Sequence, residues 1–176
     1  MPTLTAEYLI ELLTQYVADT DTPVDLLVVG ALALRSYGVP VRTTFDVGAE
    51  VHGPLMPLRD YLTAQNIPAD LTQNFSGWSF VAMPPGYRDR AVDLVNQPRL
   101  RVRVLSPLDF VIAKLRRGTE LDLDDAFLVA RQHHLSTETI QGSAQDALAA
   151  SPQDTALFLF QKTVELFCKH LSSSND

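Results

Sequence analysis

The sequence predicts an α/β (α+β) fold, in which a mixed sheet is flanked by helices and followed by a C-terminal helical cap. Runs of branched aliphatic residues alternate with helical patterns up to position 105, and only helical patterns follow. The 176 residues are enough for one domain with its own core. We therefore predict a core over residues 1–105, a helical region over residues 106–171 packed on it as one compact unit, and a disordered tail over residues 172–176.

The first part of the chain alternates helices with strands. Apolar residues at helical spacing, with Thr5 as N-cap, predict a helix over residues 5–22. Branched aliphatic residues ending in a glycine predict a strand over residues 24–30 that is buried on both faces. A short helix is expected from Ala31 to Gly38. The remaining predictions before the helical region are a strand over 43–52, a short helix over 57–66, and strands over 77–84, 90–96 and 101–105.

The last part of the chain shows helix signals only. Ser106 is a predicted N-cap, and Pro107 occupies the first helical position. The four helices predicted here cover residues 106–118, 123–134, 136–150 and 154–171. The last one carries more apolar residues than one buried stripe needs, which indicates either a dimer contact or a fully covered helix.

Composition and charge narrow the function classes. A net charge of −7 argues against a surface built as a whole to hold nucleic acid, although a local basic patch is compatible with it. Cys168 is the single cysteine, which excludes an intrachain disulfide and a cysteine metal cluster. The N-terminal residues lack the basic start of a signal peptide, and no apolar run approaches the length that spans a bilayer. We therefore expect a cytoplasmic protein with no membrane segment.

The stretch "RTTFDVGAEV" over residues 42–51 places acidic residues inside an apolar run. Asp46 and Glu50 lie four residues apart, with Gly48 midway between them. Side chains alternate along a strand, so positions 46, 48 and 50 belong to one face. Two carboxylates therefore share a face with a position that has no side chain.

The surrounding sequence resembles a known family. "VVGALALRSYGVPVRTTFDV" is similar to the signature of the nucleotidyltransferase fold, the superfamily of DNA polymerase β, in which an apolar strand, a glycine motif and a short helix precede a strand with paired acidic residues. The most similar subgroup includes uncharacterised bacterial nucleotidyltransferase-like proteins and toxins of abortive-infection type toxin–antitoxin systems. The later block "VLSPLDFVIAKLRRGTELDLDDAFLVAR" resembles that subgroup as well.

The resemblance implies an activity and assigns residues to it. Members of the fold displace pyrophosphate from a nucleoside triphosphate, with two magnesium ions about 4 Å apart that bind the attacking and leaving oxygens. By the resemblance, Asp46 and Asp93 are metal ligands, and Glu50, on the same strand face as Asp46, is the candidate for a further ligand. The nucleotide-binding residues are Gly30, Ala31, Arg42, Thr44 and Lys114. The catalytic residues are Asp46, Asp93 and Lys114.

The sequence departs from the family pattern at the second carboxylate. Gly48 stands where that acid is expected, and glycine has no side chain to bind a metal. Glu50 lies on the same face, about 7 Å further along the strand. Ala31 also stands where a second glycine or a serine is expected. A natural loss and an engineered replacement at position 48 are both compatible with the sequence.

The assigned residues also have ordinary structural explanations. Asp46 is compatible with a turn position, and Lys114 with an exposed lysine near a helix C-terminus. Asp122 and Asp125 are compatible with acids that stabilise a helix N-terminus. Asp93 is compatible with an ion pair, for which the candidate partners are Arg88, Arg90 and Arg101.

Two functions from different classes remain open, beside a purely structural or dimerising domain. The first is a magnesium-dependent enzyme that moves NMP from an NTP to an RNA end, a protein hydroxyl or a small molecule. The second is a nucleotidyltransferase-fold protein without catalysis, which binds or regulates a partner protein, for example in a toxin–antitoxin or phage-defence pair.

Overall fold

The computed structural model describes residues 4–40 and 43–174. These residues form two compact units. The first unit consists of residues 4–36, 40, 43–75 and 91–105, and the second of residues 37–39, 76–90 and 106–174. The second unit thus has its longest segment from residue 106 onward and also includes two segments from earlier in the chain.

The first unit contains a five-stranded mixed sheet. Its strands are β1 (Val24–Val28), β2 (Val47–Val51), β3 (Ala69–Thr72), β4 (Val92–Gln97) and β5 (Leu100–Val104). They lie in the order β3-β2-β1-β5-β4. β1 pairs antiparallel with β2 and parallel with β5, β2 and β3 are parallel, and β4 and β5 are antiparallel. The predicted mixed α/β fold class is confirmed.

The two faces of this sheet differ in polarity. Strand alternation and the pairing register assign each residue to a face. The apolar face is buried over most of its area, and its buried members include Leu26, Val28, Val47, Ala49, Val51, Leu71, Val102 and Val104. At the β4 edge of this face Val92 is exposed. The polar face carries ionisable side chains, namely Asp25, Glu50, His52, Asp70, Asp93, Arg101 and Arg103. The candidate chemistry of the first unit is therefore confined to the polar face.

Two helices complete the first unit. α1 (Ala6–Thr20) begins at the predicted N-cap, because the Thr5 hydroxyl accepts the Tyr8 N–H at 3.1 Å. α2 (Leu55–Ala64) follows β2. α1 packs near β5 and α2 near β3, and both helices bury leucines: Leu9, Leu13, Leu58 and Leu62.

The second unit is helical, as predicted. Its helices are α3 (Pro107–Arg117), α4 (Glu120–Gln132), α5 (Thr137–Ala149) and α6 (Ala156–Ser173). The Ser106 hydroxyl caps α3 by accepting the Asp109 N–H, and Gly118 ends that helix in the left-handed conformation at φ 65°. α6 continues through Ser173, two residues into the segment predicted as a disordered tail, and residues 175–176 lie outside the described ones.

Two local predictions are wrong, and in the first of them a side-chain hydrogen bond replaces ladder pairing. Residues 77–84 form no strand, and a 3-10 helix at Phe75–Trp78 is followed by a loop. The Ser76 hydroxyl accepts the Met83 N–H at 2.9 Å, so this backbone folds back on itself. The opposite error concerns β3, which lies in a segment where no strand was predicted. The predicted short helix at residues 31–38 is a 3-10 helix, Ala31–Tyr37.

Among the described residues, no helix has both the length and the apolar character that a bilayer crossing requires.

Candidate functional site

The predicted glycine motif and the position of the missing carboxylate are neighbours. Gly30 follows β1, and the Val29 N–H beside it donates to the Gly48 carbonyl at 2.9 Å. A Cβ built at Gly48 would stand 3.8 Å from both the Cα and the nitrogen of Gly30, which is ordinary van der Waals contact. Ala31 opens the 3-10 helix that comes next. Gly30 and Gly48 are therefore neighbours on adjacent segments, and position 48 carries no acid.

Asp46 lies directly before β2 and is exposed. The hydroxyl of Thr44 donates to its Oδ1 at 3.0 Å. Thr44 is itself buried, and its carbonyl accepts the Leu4 N–H at 3.2 Å. The structure thus orients one predicted metal ligand toward solvent. Arg42, the predicted neighbour of this group, lies outside the described residues.

Glu50 is the other predicted ligand on β2, and its side chain is fully buried. Its Oε2 accepts the backbone N–H of Phe75 at 2.7 Å. Its Oε1 lies 2.7 Å from Nε2 of His52. A carboxylate only accepts hydrogen bonds, so the histidine donates in this contact. Both oxygens of Glu50 therefore hold protein groups.

Asp93 lies on β4, at one edge of the sheet. β1 and β5 separate β4 from β2, which puts Asp93 about 14 Å from the strand that follows Asp46, at roughly 4.8 Å per strand. Arg101 Nε donates to Asp93 Oδ1 at 2.7 Å, and this bond holds the pKa of the exposed carboxyl below its usual value. The structure does not bring Asp93 and Asp46 together. The alternative expectation, an ion pair with Arg101, is confirmed.

Lys114 is buried within the second unit, so the expectation of an exposed lysine is wrong. Its Nζ donates to Asp122 Oδ1 at 3.0 Å and to Asp125 Oδ2 at 2.7 Å. Burial raises the pKa of Asp122, but hydrogen bonds from Thr119 and Lys114 outweigh it and leave the pKa below its usual value. The ammonium of Lys114 therefore joins α3 to α4 by a buried network.

Asp70 is an acidic residue that the sequence reasoning missed. It lies on β3 as the register partner of Gly48, on the polar face, and it is exposed. The alternation Ala-Asp-Leu-Thr after Pro68 is the signal that could have identified both the strand and this carboxylate. Asp70 thus stands beside the position where the motif lacks its acid.

The positions of the three predicted ligands, Asp46, Glu50 and Asp93, show whether the side chains fit a magnesium centre. A two-metal centre needs several carboxylate oxygens aimed at one point. Asp46 is exposed, whereas Glu50 accepts the buried Phe75 N–H and Asp93 pairs with Arg101 at the far edge of the sheet. Among the residues that the structure describes, no group of three or more histidine, cysteine or acidic side chains is placed to hold a metal. The side chains do not fit a two-magnesium centre.

Two comparisons with known proteins bear on the family. A search of curated proteins found no match to this chain. A family model described as "nucleotidyltransferase of unknown function (DUF6036)" matches residues 7–158, which include every described strand and α1 to α5. The match covers both the glycine–strand motif and the block around Lys114. The chain therefore belongs to this family of nucleotidyltransferases of unknown function.

Proposed function

We propose that this protein keeps the nucleotidyltransferase-like fold but does not transfer nucleotides, and that it acts by binding or regulating a partner protein. The observation that carries the proposal is that the strand after Asp46 has no carboxylate available for a metal. Gly48 has no side chain, and Glu50 on the same face binds Phe75 and His52 in the interior. Asp46 is left without a second carboxylate on its own strand.

The energy of the Glu50 contacts supports this proposal. A Glu50 carboxylate that turned toward a metal beside Asp46 would leave the Phe75 N–H without its acceptor. An unsatisfied buried donor costs about 1–3 kcal/mol, and the contact with His52 would be lost as well. Lys114 is likewise hydrogen-bonded to two buried carboxylates, so its recruitment to a phosphate would break its contacts with Asp122 and Asp125.

A partner protein is favoured by the exposed apolar side chains of the second unit. Phe158, Leu159 and Leu166 on α6 are 61%, 69% and 67% exposed. Apolar side chains grouped on one helix are typical of contact surfaces. We propose the second member of a toxin–antitoxin or phage-defence pair as the partner class. Co-expression with the product of the adjacent gene, followed by size-exclusion chromatography, tests this: we expect one complex, and separate elution would contradict the pairing.

A transfer assay tests the absence of catalysis. The protein is incubated with each radiolabelled NTP, magnesium or manganese, and total RNA or protein as acceptor. We expect no labelled product from the parent protein and labelled product from Gly48→Asp. The matched control Gly48→Asn has nearly the same shape without the charge and should stay inactive. Label transfer by the parent that Asp46→Asn abolishes would contradict the proposal.

A second candidate function is supported by the position of Asp70. Asp46 lies directly before β2, and Asp70 lies on β3 as the register partner of Gly48; two neighbouring carboxylates can share one divalent cation. In this candidate the protein transfers NMP from an NTP to an RNA, a protein hydroxyl or a small molecule. Asp70→Asn distinguishes the two functions, because it abolishes transfer only if Asp70 supplies the missing ligand.

A further inference from the structure

A cleft of about 660 Å³ opens at the end of the sheet opposite to Gly30 and Gly48. It is formed by the first residues of β1 and β5, the turn after β2, and the turn between β4 and β5. Pockets that bind small molecules have volumes of about 300–1,000 Å³. The cleft lies within the first unit, and no residue assigned by the family resemblance lines it.

Four polar side chains from adjacent strands contribute to the cleft. They are His52 after β2, Asp25 on β1, Arg101 on β5 and Asn96 on β4. Asp25 is the register partner of Arg101, and Arg101 is the partner of Asn96. The His52 N–H donates to the Asp25 carbonyl at 2.9 Å, so the histidine continues the row. The row places Asp25 and His52 at one side of the cleft and the guanidinium donors of Arg101 toward the other.

A buried arginine holds the Asp25 carboxylate in place. Arg103, which is 5% exposed, donates from Nη2 to Asp25 Oδ1 at 2.8 Å. The second carboxylate oxygen, Oδ2, lies 3.8 Å from His52 Nδ1. Asp25 Oδ2 thus offers an acceptor with the His52 ring nitrogen beside it, and a hydroxyl group, which both donates and accepts, suits this pair.

The donor side of the cleft consists of Arg99 and Arg101. Both side chains are partly exposed, at 47% and 42%. Arg101 uses Nε and Nη2 for Asp93, and Arg99 uses Nη2 for Asp21. Within the described residues, each guanidinium keeps its Nη1 protons for a ligand. Two guanidinium groups at one side of a cleft favour an anion, and a phosphate best matches their planar donors.

We propose that this cleft binds a small phosphorylated polyol, with the phosphate monoester on Arg99 and Arg101 and the hydroxyl groups on Asp25 and His52. The carboxylate of Asp25 repels a second phosphate, which disfavours diphosphates and triphosphates. A sugar phosphate and a nucleoside monophosphate share this chemistry. The cleft is separate from Gly48, which lies at the other end of β2.

Calorimetry on the full chain tests the proposal with four probes: ribose 5-phosphate, AMP, ribose and inorganic phosphate. We expect ribose 5-phosphate to bind. Ribose and inorganic phosphate should each bind with an affinity at least roughly tenfold lower, because each loses contacts to a charged group of the cleft. Equal affinity for inorganic phosphate and ribose 5-phosphate would overturn the polyol contact. Tighter binding of AMP than of ribose 5-phosphate identifies the nucleoside as the preferred source of the phosphorylated polyol.

Variants assign the binding to this cleft. Arg99→Gln and Arg101→Gln should each weaken ribose 5-phosphate roughly tenfold. The matched control is Arg35→Gln, because Arg35 is also an exposed arginine of the first unit that faces an acidic residue, Glu7. Equal effects of Arg35→Gln and Arg101→Gln, or no binding by the parent protein, would overturn the proposal.

An NMR titration of the parent protein gives a readout that needs no variant. The chain has four histidines, at positions 52, 133, 134 and 170, and only His52 lines the cleft. We expect ribose 5-phosphate to shift one set of imidazole resonances, which His52→Gln removes. A titration that leaves the His52 resonances unmoved, or shifts all four histidines alike, would contradict binding at this cleft.

Discussion

The backbones of Gly48 and Gly30 lie side by side, and a Cβ at position 48 would meet the Cα of Gly30 at 3.8 Å. This distance is ordinary van der Waals contact, so position 48 has room for a side chain. Gly48 is also not in the positive-φ region that strains other residues. The glycine is therefore not required by the backbone, and an acid introduced there would lie between Asp46 and Asp70.

Gly48→Asp is expected to fold and to gain affinity for divalent cations. The three carboxylates at positions 46, 48 and 70 would belong to one face of adjacent strands, which suits magnesium or manganese. Thermal unfolding with and without manganese measures the gain. A cation at about 100 times its dissociation constant stabilises the folded state by about 2.7 kcal/mol. Gly48→Asn should show no such increase, and an equal increase in both variants would contradict the carboxylate site.

Glu50→Gln should destabilise the protein more than Asp46→Asn does. Glu50 is buried and uses one oxygen for Phe75 and the other for His52, whereas glutamine has only one acceptor oxygen, so its replacement is expected to cost about 1–3 kcal/mol. Asp46 is exposed, and its replacement should stay within about 0.5 kcal/mol. Urea unfolding followed by tryptophan fluorescence compares the two. Equal free energies of unfolding for both variants would contradict the structural role of Glu50.

Lys114→Met should lower the free energy of unfolding by about 3–5 kcal/mol, because it removes the buried ammonium that pairs with both Asp122 and Asp125. The matched control is Lys162→Met. Lys162 is exposed on α6 and pairs with Glu165 at 2.8 Å, and such surface pairs contribute about 0–1 kcal/mol. Chemical denaturation of both variants gives the comparison. Similar losses in the two variants would show that the Lys114 network does not hold α3 to α4.

The contribution of Asp122 to stability should depend on pH. Its folded-state pKa lies below its usual value of about 3.9, so the stabilisation is complete above that value and is lost as the pH falls through the folded-state pKa. The difference in unfolding free energy between the parent and Asp122→Asn should therefore shrink from pH about 6 to pH about 3. Urea titrations across this range measure it, and a difference that grows on acidification would contradict the sign.

An exposed acid of the same helix provides the control for this pH series. Asp124 lies two residues after Asp122 and is exposed. Asp124→Asn should change the free energy of unfolding by less than about 0.5 kcal/mol at neutral pH. A large loss for this variant would indicate that any acid-to-amide change on α4 is destabilising.

The sequence alone determined the local structure well where caps and spacing are strong. Thr5, Ser106 and Gly118 lie at helix ends as predicted, because capping depends on groups within one turn of each other. The absence of a carboxylate at Gly48 was likewise evident from the motif. Residues 77–84 were assigned wrongly because serine hydroxyls compete with strand pairing, which an apolar pattern does not reveal.

Only the tertiary structure decided which side chains meet. It placed β1 and β5 between β2 and β4, which separates Asp93 from Asp46, and it put Asp70 beside Gly48. In the folded chain the Glu50 carboxylate also accepts the Phe75 N–H. Sequence periodicity predicts the face of a strand on which a residue lies, because that face is set by the local backbone geometry. Strand order and hydrogen-bond partners follow from pairing between distant segments. The local pattern therefore located the acidic strand but did not predict which strands lie beside it.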